Sequence, residues 1–112
     1  MSPKKNPGSP GREGDSDVAV ETRSKSKTQK PKLYKVLLHN DDYTPMEFVV
    51  AILRTVFFKS ESDAMAIMLH AHSSGYAVAG VFTFEIAEEK VAKVLALADE
   101  AQFPLLCTLE PE

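Results

Sequence analysis

The apolar positions of this chain change period several times, and each change marks an element. Leu33–His39, "LYKVLLH", is a short run rich in strand formers and predicts a first strand. It stops abruptly at Asn40, Asp41 and Asp42. "TPME" follows: Thr44 suits a helix N-cap, Pro45 the first helical position, and Glu47 completes capping-box spacing with Thr44. Met46, Val49, Ile52, Leu53, Val56 and Phe57 then recur at helical spacing, which predicts a first helix running to about Phe58. Ser60 and Asp63 cap a second helix, Glu61 to about Ser73, with Ala64, Ile67, Met68 and Ala71 as its stripe and Gly75 as its stop. "YAVAGVFTFE" alternates around Gly80 and predicts a second strand, Tyr76–Phe84. Acids in the first turn, with Ala87, Val91, Val94, Leu95, Ala98 and Ala101 on one face, predict a third helix that Pro104 ends. "LLCTLE" is a last short strand. The order β-α-α-β-α-β predicts an α+β fold, a small sandwich of three helices on a three-stranded, mostly antiparallel sheet.

Residues 1–32 carry no such pattern. They are rich in Pro, Gly, Ser, Lys and Thr, have no aromatic residue, and hold one apolar cluster, Val18–Val20. That is too little burial to offset the cost of ordering the backbone, so a flexible N-terminal extension is expected over 1–32 and one core domain over 33–112. Charge divides the same way: eight basic against four acidic residues in the arm, five against twelve in the remainder. The acidic body argues against a nucleic-acid platform, and the basic arm suits a solvated tether. No secretory signal pattern and no membrane-spanning run is visible, and Cys107 is the sole cysteine, so no internal disulfide is possible and a reducing cytoplasm is expected; the chain is also expected to be a monomer.

Enzyme chemistry finds little support. Asp41 and Asp42 are neighbours in sequence but need not converge, and there is no nucleophile elbow, phosphate loop or catalytic motif around Cys107. A metal site using Asp41, Asp42 and His72 remains an alternative, although "HNDDY" lacks the pattern of a calcium loop and "HAH" on a helix points its imidazoles apart. No cofactor is implied. Met68 and His72, four residues apart, share a helix face. On its own, His72 reads more readily as a satisfied histidine at the edge of the core than as a ligand-binding group. A cavity of methionines and branched aliphatics beneath an Asn, Asp and His rim would suit a ligand with an apolar side chain and an ammonium group.

"NDDYTPMEFV" (Asn40–Val49), "MLHAH" (Met68–His72), "GVFTFEIAEEKV" (Gly80–Val91) and "PLLCTLE" (Pro104–Glu110) together resemble the ClpS family over essentially all of Leu33–Glu110. Those proteins are adaptors that present N-degron substrates to a Clp-family AAA+ unfoldase and its peptidase. The resemblance implies that a substrate's free α-amino group is held by Asn40 and His72, with Asp41 and Asp42 beside it and Asp42 acting through water. It implies a pocket for the first side chain lined by Leu38, Thr44, Met46, Val49, Met68 and Leu105, accepting Leu, Phe, Tyr or Trp. It also implies that Thr83, Glu85 and Lys90, at the start of the third helix, contact the N-terminal domain of a ClpA- or ClpC-type unfoldase, and that the arm serves in delivery. Periodicity alone offers a plainer reading, in which the acids complement the helix dipole and Lys90 is solvated. The departures are small: Ala79 stands where many relatives have cysteine, and Ser73 and Ser74 follow His72. The same topology also resembles the C-terminal domain of the ribosomal stalk protein, a general interaction domain with no need of a free amine.

Two consequences follow for a ligand of this kind. Each charge-assisted bond contributes about 1.5–3 kcal/mol, burial of a Leu- or Phe-sized side chain a similar amount, and immobilising a peptide end subtracts several, which together place affinity near micromolar. A neutral His72 accepts a bond from an ammonium and a protonated one does not, so binding should weaken under mildly acidic conditions.

Overall fold

The computed structural model describes residues 30–112; the expectations for the arm lie outside the described residues, apart from its last three positions. Lys32–Glu112 form one compact unit. Its elements are strand β1 (Leu33–His39), helices α1 (Met46–Thr55) and α2 (Glu61–Ser74), strand β2 (Tyr76–Thr83), helix α3 (Phe84–Ala101) and strand β3 (Leu106–Pro111). β1 is the central strand of a three-stranded sheet, ordered β2-β1-β3 and antiparallel throughout.

Strand alternation explains how the layers meet. Val36 and Leu38 of β1 point one way and join the core with Leu105 and Cys107 from the β3 side. The helices close over that face with Ile52 and Leu53 of α1, Ala64 and Met68 of α2, and Ala87, Val94 and Ala98 of α3. The sheet is not regular. Val36 pairs with Gly80 but Leu37 with Val78, so Ala79 is an extra residue and β2 carries a bulge. Ala77 before the bulge and Ala79 within it are both buried, and Phe82 packs on the core after it. The Phe82 ring folds over Gly80: an added Cβ would fall 2.6 Å from a ring carbon, so the ring would have to move.

Helix ends differ in how closely they follow the sequence pattern. α2 begins as expected, with the Ser60 hydroxyl accepting from Asp63 N–H at 3.1 Å, and ends at Gly75 in the left-handed region, φ 96°. α1 does not use the Thr44–Glu47 capping box. Its N-cap is Pro45, because the Thr44 hydroxyl instead donates to Asp41 at 2.8 Å. β2 stops at Thr83, and α3 starts at the next residue rather than after Phe84. Within α3 the inward stripe is Ala87, Val94 and Ala98 with Val91 and Leu97 beside it, whereas Leu95 and Ala101 are exposed. α3 ends at Gln102, φ 63°, with Phe103 N–H returning to the Ala98 carbonyl at 2.9 Å, a Schellman closure just before Pro104.

Candidate functional site

β1 ends, and β2 and β3 begin, at the same edge of the sheet, and a pocket opens there. Leu38 is the last inward residue of β1 and Leu105 directly precedes β3; both are buried. Met46 and Val49 come from the first turn of α1, Met68 from the inward face of α2, and Thr44 from the loop between β1 and α1. These six, expected as a side-chain pocket, line one depression of about 340 Å³. The space inside it is narrow. Met46, 43% exposed, stands at the entrance.

Asn40, Asp41 and His72 line the same depression; Asp42 does not. The two adjacent acids therefore occupy different positions. One oxygen of Asp41 accepts the N–H groups of Tyr43 and Thr44, each at 2.8 Å, and the other accepts the Thr44 hydroxyl at 2.8 Å. Partial burial pushes the Asp41 carboxyl up, but the bonds from the Thr44 hydroxyl and the two N–H groups outweigh it and hold it below the ordinary carboxylate value. Asp41 folds the loop back on itself. Asp42 is exposed to solvent.

Asn40 is tied to the helix that carries His72. Its backbone N–H donates to the Gly75 carbonyl at 2.9 Å, and Gly75 is the left-handed cap of α2. This bond joins the end of β1 to the last turn of α2 and sets both side chains on one rim. Among the described residues, neither the Asn40 carboxamide nor the His72 imidazole has a hydrogen-bond partner, so both retain their bonding capacity toward the mouth.

Two further lining residues, Ala71 and His39, escaped the sequence reading. Ala71 was legible as part of the α2 stripe, where it follows Met68 by one helical turn, but was assigned to the core. His39 stands out in the sequence as the polar residue that closes the strand run beside Asn40, but strand alternation puts it on the face opposite Leu38 and so away from the expected pocket. Its Nε2 lies 2.8 Å from the Thr108 hydroxyl, which fixes the ring at the edge of the pocket.

The start of α3 lies at the far end of the sheet, where Thr83 pairs with Leu33. Thr83 and Glu85 are exposed, and the Thr83 hydroxyl makes no capping bond. Lys90 is not a free cation: its ammonium donates to the Val56 carbonyl at 2.7 Å and lies 4.8 Å from the centre of the Phe58 ring and 5.8 Å from that of Phe82. Cys107 is buried, and burial pushes its thiol up to about 12, which removes it as a nucleophile. Among the described residues no three His, Cys, Asp or Glu side chains are grouped to hold a metal ion, and no helix is long and apolar enough to cross a membrane.

An apolar depression with an open polar rim, in a domain this small, defines a binding protein for a ligand with an apolar body and a hydrogen-bonding head. The family model described as "ATP-dependent Clp protease adaptor protein ClpS" matches residues 29–108. Among curated relatives, the ATP-dependent Clp protease adapter protein ClpS of Myxococcus xanthus is 55% identical over 100 residues, covering 89% of this chain and 94% of that protein. Its counterpart in Phenylobacterium zucineum is 55% identical over 105 residues, covering 90% and 96%. The solved structure of Agrobacterium tumefaciens ClpS2 bound to L-phenylalaninamide is similar with a TM-score of 0.72 and 51% identity, over 74% of this chain and 100% of that one. The chain belongs to the ClpS family of ATP-dependent Clp protease adaptor proteins.

Proposed function

We propose that the pocket receives the first residue of a protein chain, holds its free α-amino group, and so selects N-degron substrates for delivery to the unfoldase of an ATP-dependent Clp protease. The observation that carries this reading is the pairing of two polar side chains, Asn40 and His72, unpartnered among the described residues, at the rim of an apolar pocket. L-Phenylalaninamide, held by the related protein, combines an apolar side chain, a free amine and an amide in place of the next peptide bond. In the pocket of this chain, apolar walls suit the side chain, and Asn40 and His72 suit the amine.

The Asn40 carbonyl oxygen and the neutral His72 imidazole accept from the ammonium, and water supplies the third acceptor. Asp42, exposed beside the loop, adds negative charge that favours an ammonium over a neutral amine. Asp41 acts by shaping the loop. Leu, Phe, Tyr or Trp enters between Met46 and Met68, whose flexible thioether chains widen the narrow interior as the side chain arrives. A β-branched side chain presses its extra methyl against Met46 at the mouth.

Thr83 and Glu85 are the proposed contacts for the N-terminal domain of a ClpA- or ClpC-type unfoldase, with Lys90 supporting that surface from beneath. Their separation from the pocket lets substrate and unfoldase bind together. Delivery by the arm, a cytoplasmic setting and a monomeric state belong to the same proposal.

Calorimetric titration with leucinamide, N-acetyl-leucinamide and isoleucinamide tests it. Binding of leucinamide alone is the expected result. Equal heats for the free and acetylated compounds would show that the amine is not recognised.

A further inference from the structure

The sheet continues past the pocket in a way the first residue of a substrate cannot use. His39 pairs directly with Tyr76 of β2 and with Leu106 of β3, so these three form one row across the sheet, on the face opposite Val36 and Leu38. Each has a chain neighbour in the site: His39 precedes Asn40, Leu106 follows Leu105, and Tyr76 follows Gly75, whose carbonyl holds Asn40. The row is apolar and open at both ends, with Tyr76 50% and Leu106 51% exposed. Its middle is fixed by the His39–Thr108 hydrogen bond, and the His39 ring lies 6.3 Å from that of Tyr76, tilted by 34°. His39 belongs both to this row and to the pocket lining, so the two surfaces are continuous. On the other side of the rim, the exposed neighbours of His72 are Ser73 and Ser74, which offer no apolar surface.

We infer that this row is a second subsite for the same substrate chain, and that it takes the side chain of the third residue. The inference rests on reading the pocket as a site for an N-terminal residue. An extended peptide advances about 3.3 Å per residue and alternates its side chains, so residue one enters the pocket, residue two points to solvent, and residue three returns to the protein about 7 Å further on. Cross-strand neighbours stand about 5 Å apart, which puts the row within that reach of the pocket edge. A leucine or aromatic side chain lies there on His39 between Tyr76 and Leu106. The adaptor then reads two positions of its substrate: the first by enclosure and the third by contact with a half-exposed surface.

Fluorescence competition with the full chain tests this, using peptides that begin Phe-Ala-Leu, Phe-Ala-Ser, Phe-Leu-Ala and Phe-Ser-Ala. Leu at position three should bind about fivefold tighter than Ser, as expected for partial burial of one aliphatic side chain, with no such gain at position two. Tyr76→Ser and Leu106→Ser, each checked for retained folding by circular dichroism, should bring the position-three ratio close to one. Tyr43→Ser, at an exposed aromatic outside the row, should leave it unchanged. A ratio near one in the unmodified protein, a ratio that survives both row variants, or a gain at position two instead would overturn the inference. Phenylalaninamide run as a competitor separates the two failures. If it competes and the ratio is one, only the third-residue subsite is wrong; if it does not compete, the pocket reading falls and takes the subsite with it.

Discussion

The two ends of the sheet hold polar side chains of similar promise, and the structure uses them in opposite ways. At the pocket end, Asn40 and His72 have no side-chain hydrogen-bond partner among the described residues, while a backbone bond from Asn40 to Gly75 joins the two segments that carry them. At the α3 end, the Lys90 ammonium is bonded to the Val56 carbonyl and covered by two aromatic rings, so its charge acts inside the fold. Phe58 remains outward there, 79% exposed and at φ 56°, a backbone state uncommon for an aromatic residue. A polar group signals binding when the fold supports its backbone and leaves its side chain unpartnered. A group that repairs a helix end signals stability.

The contrast can be broken at several points. The largest effect is expected at Asn40: Asn40→Ala removes a charge-assisted bond and should weaken a Phe-initiated peptide about 10- to 100-fold by anisotropy, with the melting temperature nearly unchanged. Lys90→Met should do the reverse. Loss of the bond to Val56 and of the cation–π contacts should cost about 1–2 kcal/mol, a fall of several degrees in a thermal melt, with peptide affinity intact. Gly75→Ala meets no atom within 4 Å, so its cost comes from φ 96° alone and should be about 1 kcal/mol. Because Gly75 holds Asn40, affinity should fall in the same variant. An unchanged affinity would separate the α2 cap from the site.

The smallest effect concerns acid. Asp41 has a folded-state value below its ordinary 3.8, so its loop bonds stabilise the fold fully above that value. The stabilisation is lost as pH falls below 3.8 through the lower folded value. Urea titrations of the parent and Asp41→Asn should differ by a constant amount near neutrality and converge in acid. A difference that grows in acid would contradict the loop's hydrogen-bond assignment.

These distinctions show where the sequence was informative. The three helices and three strands were legible because each buries one face, and burial imposes a period. The bulge at Ala79 was not, since one extra residue leaves both flanking runs alternating. Nor was the Pro45 cap, because Thr44 had two possible acceptors and Asp41, earlier in the chain, won it. In α3, Leu95 and Leu97 are equally apolar, and only the packed stripe shows which turns inward. The pocket residues were reached through family motifs rather than periodicity. The unlike roles of Asp41 and Asp42, and the place of His39 at the rim, depend on contacts between segments distant in the chain, which one-dimensional spacing does not carry.

One measurement bears most directly on the central claim, that Asn40 and His72 recognise a free amine. A Phe-initiated peptide and its N-acetylated twin should be titrated against the parent protein and against His72→Ala. The account predicts tight binding of the free peptide to the parent, a large loss on acetylation, and a clearly smaller loss in His72→Ala, because the group that senses the amine is gone. An acetylation penalty of the same size in both proteins would mean that His72 does not contact the amine.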